Sequence, residues 1–339
     1  MKKQNVVYLR AISSFAVVFG HSIFPYTKDG ELAYRLSSEM GGLIDLIYSI
    51  ITSIHMPVFM SVSGFLFYYE CEKIASGNTR DLFVFFLKKF RRLIIPFLCV
   101  MYLWRKPLLY VADREVLSGT GLQLLKEYFL FKSTGHLWYL YILFGIFIFF
   151  RIITPLIYKK RLLEIGMLLC FTFLGYLGRF LSGPVHHFFI FLLFFYMGLL
   201  IHEYYESVIV RLLNTKYIWV VVLFILGFLQ FWLFSGSSKY LRNGLGMLFS
   251  VVFVLFVYIL SYDCVKENKI MTFLDRNCMG LYLFHSDLIT AVVSLIGTTV
   301  IPIFVWGISL ICIPISYLLT ELLRKLKLHF VIGESYSGK

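Results

Sequence analysis

Arg10 and His21 are the first residues in this chain whose types and spacing suggest chemistry. Both fall within VYLRAISSFAVVFGHSIF, residues 7–24, an otherwise apolar stretch long enough to span a membrane. An ionisable side chain inside such a stretch is costly and marks a functional hypothesis by default. Eleven positions at ~100° per residue make three turns and roughly 20°, so the two side chains share one helix face about 16 Å apart. That face offers a cation near one membrane surface and an imidazole well inside. A histidine in a water-poor cavity is suited to act as a general base near neutral pH. His55 and His285 lie inside further apolar stretches, and His136 sits at a membrane surface close to Trp138. Taken singly, each residue also has a plainer role. Arg10 can snorkel to the interface, and each histidine can bond a neighbouring helix. The run Lys88, Lys89, Arg91 and Arg92 in FLKKFRRLIIP has three readings: a topology signal, a surface for anionic lipid, or a phosphate site for a soluble donor.

These side chains have to be positioned by membrane helices. The chain has 339 residues, 59% hydrophobic and only 15% charged, with a mean hydropathy of +0.81. A soluble domain carries about 25% charged residues, and no soluble core would hold this excess. The expected fold is all-α, a polytopic integral membrane bundle of about ten transmembrane helices. The spans are expected near 7–26, 43–69, 93–112, 136–156, 162–181, 186–202, 217–234, 243–262, 272–296 and 300–323. The third is awkward, because Arg105 and Lys106 come about twelve residues after Leu93. Either it starts earlier, near Phe83, or the pair faces a polar cavity. The first stretch lacks a small-residue cleavage site, so it is expected to be a retained span. In the second, Pro57, Ser61, Ser63 and Gly64 permit a kink and close helix packing.

With both termini placed in the cytoplasm, roughly twice as many Lys and Arg fall inside as outside, as the positive-inside bias requires. The net charge of +13 is explained by that bias, without nucleic acid. The six cysteines show no CxxC spacing and no clustering with histidine, so neither disulfide nor metal is expected. No GxSxG, P-loop, GxGxxG or HExxH pattern occurs. The longest external loop, about 111–135, contains the amphipathic GLQLLKEYFLF. Residues 1–330 are read as one transmembrane domain and 331–339 as a short cytoplasmic tail.

Five motifs in order resemble the acyltransferase family 3 membrane proteins. YLRAISSFAVVFGH has the arginine, ten residues, histidine pattern of that family's first span. HMPVFMSVSGFLF resembles the second-span motif, with His55, Pro57, Phe59, Ser63 and Gly64 in place. FLKKFRRLIIPFL resembles the basic entry to the third span, HLWYL the Leu-Trp motif, and GLYLFHSDLI the late Tyr-Leu-His motif. Many members carry an acidic residue where this chain has Val7. The VVYLRA form is similar to the branch that modifies extracellular polysaccharide by acetyl or succinyl transfer.

The resemblance implies a membrane O-acyltransferase. It would move an acetyl or succinyl group from cytoplasmic acyl-CoA, with acetyl-CoA as donor substrate and no metal, to a hydroxyl of an extracytoplasmic polysaccharide or its lipid-linked precursor. The expected catalytic residues are His21 and Arg10. Arg10, Lys89, Arg91 and Arg92 are expected to hold the donor, and His55, Ser63, Trp138 and His285 to lie along the substrate path. The expected setting is a bacterial-type cell membrane, with membrane lipids as neighbours. A polysaccharide or lipid-linked glycan exporter is the competing reading, with the same buried cations binding a pyrophosphate-linked lipid.

Overall fold

The computed structural model describes residues 3–30, 38–75, 81–111, 134–205, 207, 210–230, 238–263, 268–296 and 304–335, and no strand occurs among them. In lipid the backbone must satisfy its own polar groups, and a continuous apolar run does so by forming a helix. The first two helices are α1 (Lys3–Ile23) and α2 (Ser38–Ala75), the latter continuous through Pro57. Next come α3 (Asp81–Lys89), a π-helical segment Phe90–Ile94, α4 (Ile95–Val100), a second π-helical segment Met101–Arg105 and α5 (Lys106–Val111). A 3₁₀ turn, Gly135–Leu137, leads into α6 (Trp138–Ile157). Then follow α7 (Arg161–Gly178), α8 (Gly183–Glu203), α9 (Lys216–Phe228), α10 (Lys239–Asp263), α11 (Lys269–Ile296) and α12 (Phe304–Lys325).

Seven helices are long and apolar enough to cross a membrane among the described residues. The remaining three expected spans are helical too, each short of that standard for its own reason. The third falls on the run of short helices α3 to α5, which begins at Asp81 and is interrupted by the two π-helical segments. In α9 13 residues are α-helical, and two π-helical residues, Leu229 and Gln230, follow before the undescribed stretch 231–237. Helix α11 is 28 residues long but carries Asp275, Arg276 and Asp287.

The chain forms two compact units. The first holds Met1–Val17, Gly42–Leu82 and Ile146–Arg276; the second holds Val18–Gly41, Phe83–Gly145 and Asn277–Lys339. Helix α1 therefore contributes Arg10 to the first and His21 to the second. The first unit has an aromatic core in which Phe150 lies 4.7 Å from Phe195 and 5.9 Å from Tyr196, centroid to centroid. There α2 and α8 meet backbone to backbone. A Cβ added at Gly64 would strike the Phe195 carbonyl, and one at Gly198 the Ser61 carbonyl. Small residues at such a crossing let membrane helices approach closely. Gly198→Ala should therefore cost about 1–3 kcal/mol, the usual range for overpacking. It is checked by thermal unfolding in detergent; an unchanged transition would mean that the helices are not in backbone contact.

The second unit closes α12 onto the residues after it. Arg324 donates to Asn277 (2.7 Å) and, through Nε, to Glu334 (3.0 Å). The 3₁₀ turn His329–Ile332 follows α12, and residues 336–339 lie outside the described residues. Burial alone would raise the Glu334 carboxyl, but its bonds and proximity to Arg324 and His329 hold it below the usual carboxylate range.

Candidate active site

Three imidazoles from three parts of the chain meet in the second unit. His21 sits in the last turn of α1, His136 in the 3₁₀ turn before α6, and His285 midway along α11. The His285 ring centroid lies 5.0 Å from both His21 and His136, and His21 and His136 are 6.1 Å apart. All three pairs are edge-to-face, and His285 is fully buried.

The backbone fixes two of the rings. His285 Nδ1 is 2.8 Å from the Leu281 carbonyl one helical turn back. That contact assigns the proton to Nδ1 and leaves the lone pair on Nε2. His136 Nε2 is 3.2 Å from the Leu283 carbonyl, so its lone pair is on Nδ1, a buried atom with no hydrogen-bond partner among the described residues. The Tyr282 hydroxyl donates to the His136 carbonyl, tying the 3₁₀ turn to α11. Nitrogens that carry lone pairs in a buried setting can accept a proton from a hydroxyl brought against them.

An ion pair stands beside the cluster. Arg105, at the end of the second π-helical segment, pairs with Asp287, which is fully buried two residues beyond His285. The guanidinium lies against Gly135, whose φ of +54° and missing side chain accommodate it. Arg105 thus touches the residue before His136 and the residue two after His285.

The other expected residues fall as follows. Arg10 lies in the first unit, where its Nε is 3.2 Å from Asp275 Oδ1. His55 and Ser63 belong to that unit too. Each bonds its own helix, His55 Nδ1 at 2.6 Å from the Ile51 carbonyl and Ser63 donating to Phe59 at 3.0 Å. Trp138 begins α6, half-buried, 6.2 Å from the Tyr139 ring. In the basic run Arg91 and Arg92 are exposed, and the Lys89 ammonium lies 5.4 Å from the Phe85 ring centroid. The external loop is described only at its ends, and residues 112–133 lie outside the described residues. No group of three or more His, Cys, Asp or Glu is placed to hold a metal among the described residues.

His136, Tyr282, Asp275 and the Arg105–Asp287 pair were not among the expected site residues. Opposite charges inside apolar stretches were the available signal for Arg105 and Asp287. Nothing in the local sequence marks Asp275 as the partner of Arg10.

Compared with known families, residues 4–321 match the model of an acyltransferase domain, that of acyltransferase family 3. Nothing matches among curated proteins or among solved structures.

Proposed function

We propose, from the premise that this chain belongs to acyltransferase family 3, that it is an acyl-CoA-dependent O-acyltransferase acting on an extracytoplasmic glycan. The chain is a multi-pass helical membrane protein, and the reading adds a bacterial-type cell membrane with both termini in the cytoplasm. The observation that carries the reading is the meeting of His21, His136 and His285 within about 6 Å of one another.

The reaction needs one proton moved and one carbonyl attacked. His21 takes the proton of the acceptor hydroxyl as its oxygen attacks the thioester carbonyl. The C–S bond then breaks, the new C–O ester bond remains, and the proton passes to the departing thiolate to give free CoA. His285 and His136 border His21 and hold their own protons toward backbone carbonyls, which keeps basic nitrogens within the cluster. The transferred group is acetyl or succinyl. The acceptor is a cell-surface polysaccharide or its lipid-linked precursor, with Trp138 beside its path.

The donor's phosphates are assigned to Lys89, Arg91 and Arg92. Two of these are exposed guanidiniums in a π-helical segment, and guanidinium matches phosphate geometry. Arg10 is assigned to the donor end of α1, with Asp275 fixing its orientation. The family match lends nothing to the exporter reading.

The test is acyl-CoA consumption by purified protein with and without an added glycan, read alongside acyl-CoA affinity in the double variant Arg91→Gln/Arg92→Gln. Charge-assisted bonds contribute ~1.5–3 kcal/mol each, so affinity should fall at least about tenfold in the variant. The difference should shrink as salt rises. Unchanged affinity in correctly inserted protein would reduce the basic run to a topology signal.

A further inference from the structure

Arg179 stands just past the last residue of α7, in surroundings that do not match its charge. Its Nε is buried with no hydrogen-bond partner, and no carboxylate pairs with it among the described residues. The sequence explains the missing carboxylate. No Asp or Glu occurs from 165 to 202 or from 207 to 262. The whole of α9, and the ends of α7, α8 and α10 on the side of Arg179, therefore supply none. They supply more cations instead. Lys239 and Arg242 lie in the first turn of α10 and are exposed. The Lys239 ammonium is 5.6 Å from the ring centroid of Phe180, the residue after Arg179. Burial lowers the Arg179 guanidinium only to about 10, so it stays charged at neutral pH. A charge held out of water without a counter-ion is strongly unfavourable.

Two side-chain amides close on the same place. Gln230 follows α9 by two residues and is 9% exposed, and its Oε1 has no partner. It meets Arg179 at α10, where Gly246 has no side chain. A Cβ there would lie 2.9 Å from Gln230 Nε2 and 3.4 Å from Arg179 Nη1, so one small oxyanion can reach both nitrogens. Asn243 lies one turn before Gly246 on the same face of α10, and its Nδ2 is buried without a partner. Both amides can donate through NH₂, that of Gln230 by a half-turn about its last bond. A guanidinium beside amide donors suits an oxyanion. Arg179 closes a membrane span, the depth at which lipid phosphates lie.

We propose that Arg179, Gln230 and Asn243 form a binding site for a phosphate group, carried by a lipid headgroup or free in solution. All three belong to the first unit, and in the orientation proposed above the site faces outward. It goes beyond the acyltransferase reading and does not depend on it, because its test involves no transfer.

The test is thermal unfolding of the delipidated full chain in detergent, in the Arg91→Gln/Arg92→Gln background so that the assigned donor site does not contribute. Inorganic phosphate is compared with sodium chloride at equal ionic strength, and phosphatidylglycerol with diacylglycerol. A ligand that binds the folded state raises its stability with concentration, so one phosphate probe should raise the transition where its control does not. The affinity read from that rise should fall at least about tenfold in Arg179→Gln, the worth of about one charge-assisted bond. Arg179→Lys should keep part of it. Gly246→Ala, which displaces the Gln230 amide and leaves Arg179 in place, should weaken binding as well, and it serves where Arg179→Gln does not fold. A rise with inorganic phosphate makes the ligand a soluble phosphate; a rise with phosphatidylglycerol alone makes it a headgroup. No rise with either probe, or a rise that survives both Arg179→Gln and Gly246→Ala in folded protein, overturns the proposal.

Discussion

His21→Ala is expected to lower acyl transfer by ~10²–10⁴-fold, the usual contribution of a general base, while acyl-CoA affinity stays near that of the parent. The imidazole is assigned to the acceptor hydroxyl and not to the donor, so the loss belongs in turnover. Arg10→Ala should behave differently, with donor affinity falling as well. Arg10→Lys should recover only part of it, since an ammonium keeps the charge but loses the planar fork presented to Asp275 and to phosphate. Steady-state rates and equilibrium acyl-CoA binding on the same preparations separate these cases. More than about a tenth of the parent rate in His21→Ala would move the base to His285 or His136.

The second large effect concerns Arg105 and Asp287. Asp287→Asn leaves a largely buried guanidinium without its carboxylate, and Arg105→Gln leaves a fully buried carboxylate without its cation. Breaking one side of a buried pair typically costs ~3–5 kcal/mol, so both variants should unfold at clearly lower temperature in detergent. The apolar double variant Arg105→Met/Asp287→Leu should regain most of that stability, because buried pairs can often be exchanged for packed hydrophobic residues. It should not regain activity. Arg105 lies against Gly135, next to His136, and Asp287 sits two residues after His285, so the pair sets where two of the three imidazoles stand. A double variant as active as the parent would make the pair purely structural.

Much of this arrangement was legible in the sequence. The apolar runs announced an all-helical membrane protein, and the eleven-residue spacing of Arg10 and His21 sufficed to place both on α1. His285 stood out because an ionisable residue inside an apolar run is rare. What stayed hidden was pairing across long separations. Arg10 meets Asp275, Arg105 meets Asp287 and His136 meets His285 through tertiary packing, and no local periodicity encodes it. His136 was easily read as an interfacial residue because it sits at the edge of an apolar run beside Trp138. Its neighbours in space come from α1 and α11. His55 and His285 each hold Nδ1 against the carbonyl one turn back, so that contact does not by itself sort one buried histidine from the other.

The two π-helical segments, Phe90–Ile94 and Met101–Arg105, give the run that carries Arg105 an unusual tolerance of length. A π turn holds one more residue than the α turn it replaces. Removing one residue from the first segment would let that turn relax to regular winding, and the residues after it would keep their directions, Arg105 toward Asp287 and Gly135 among them. The same deletion in the α-helical residues Ile95–Val100 would turn every side chain after it by ~100°. Relatives with a one-residue gap over Phe90–Ile94 can therefore share the site, whereas a gap a few residues later would take Arg105 from its partners.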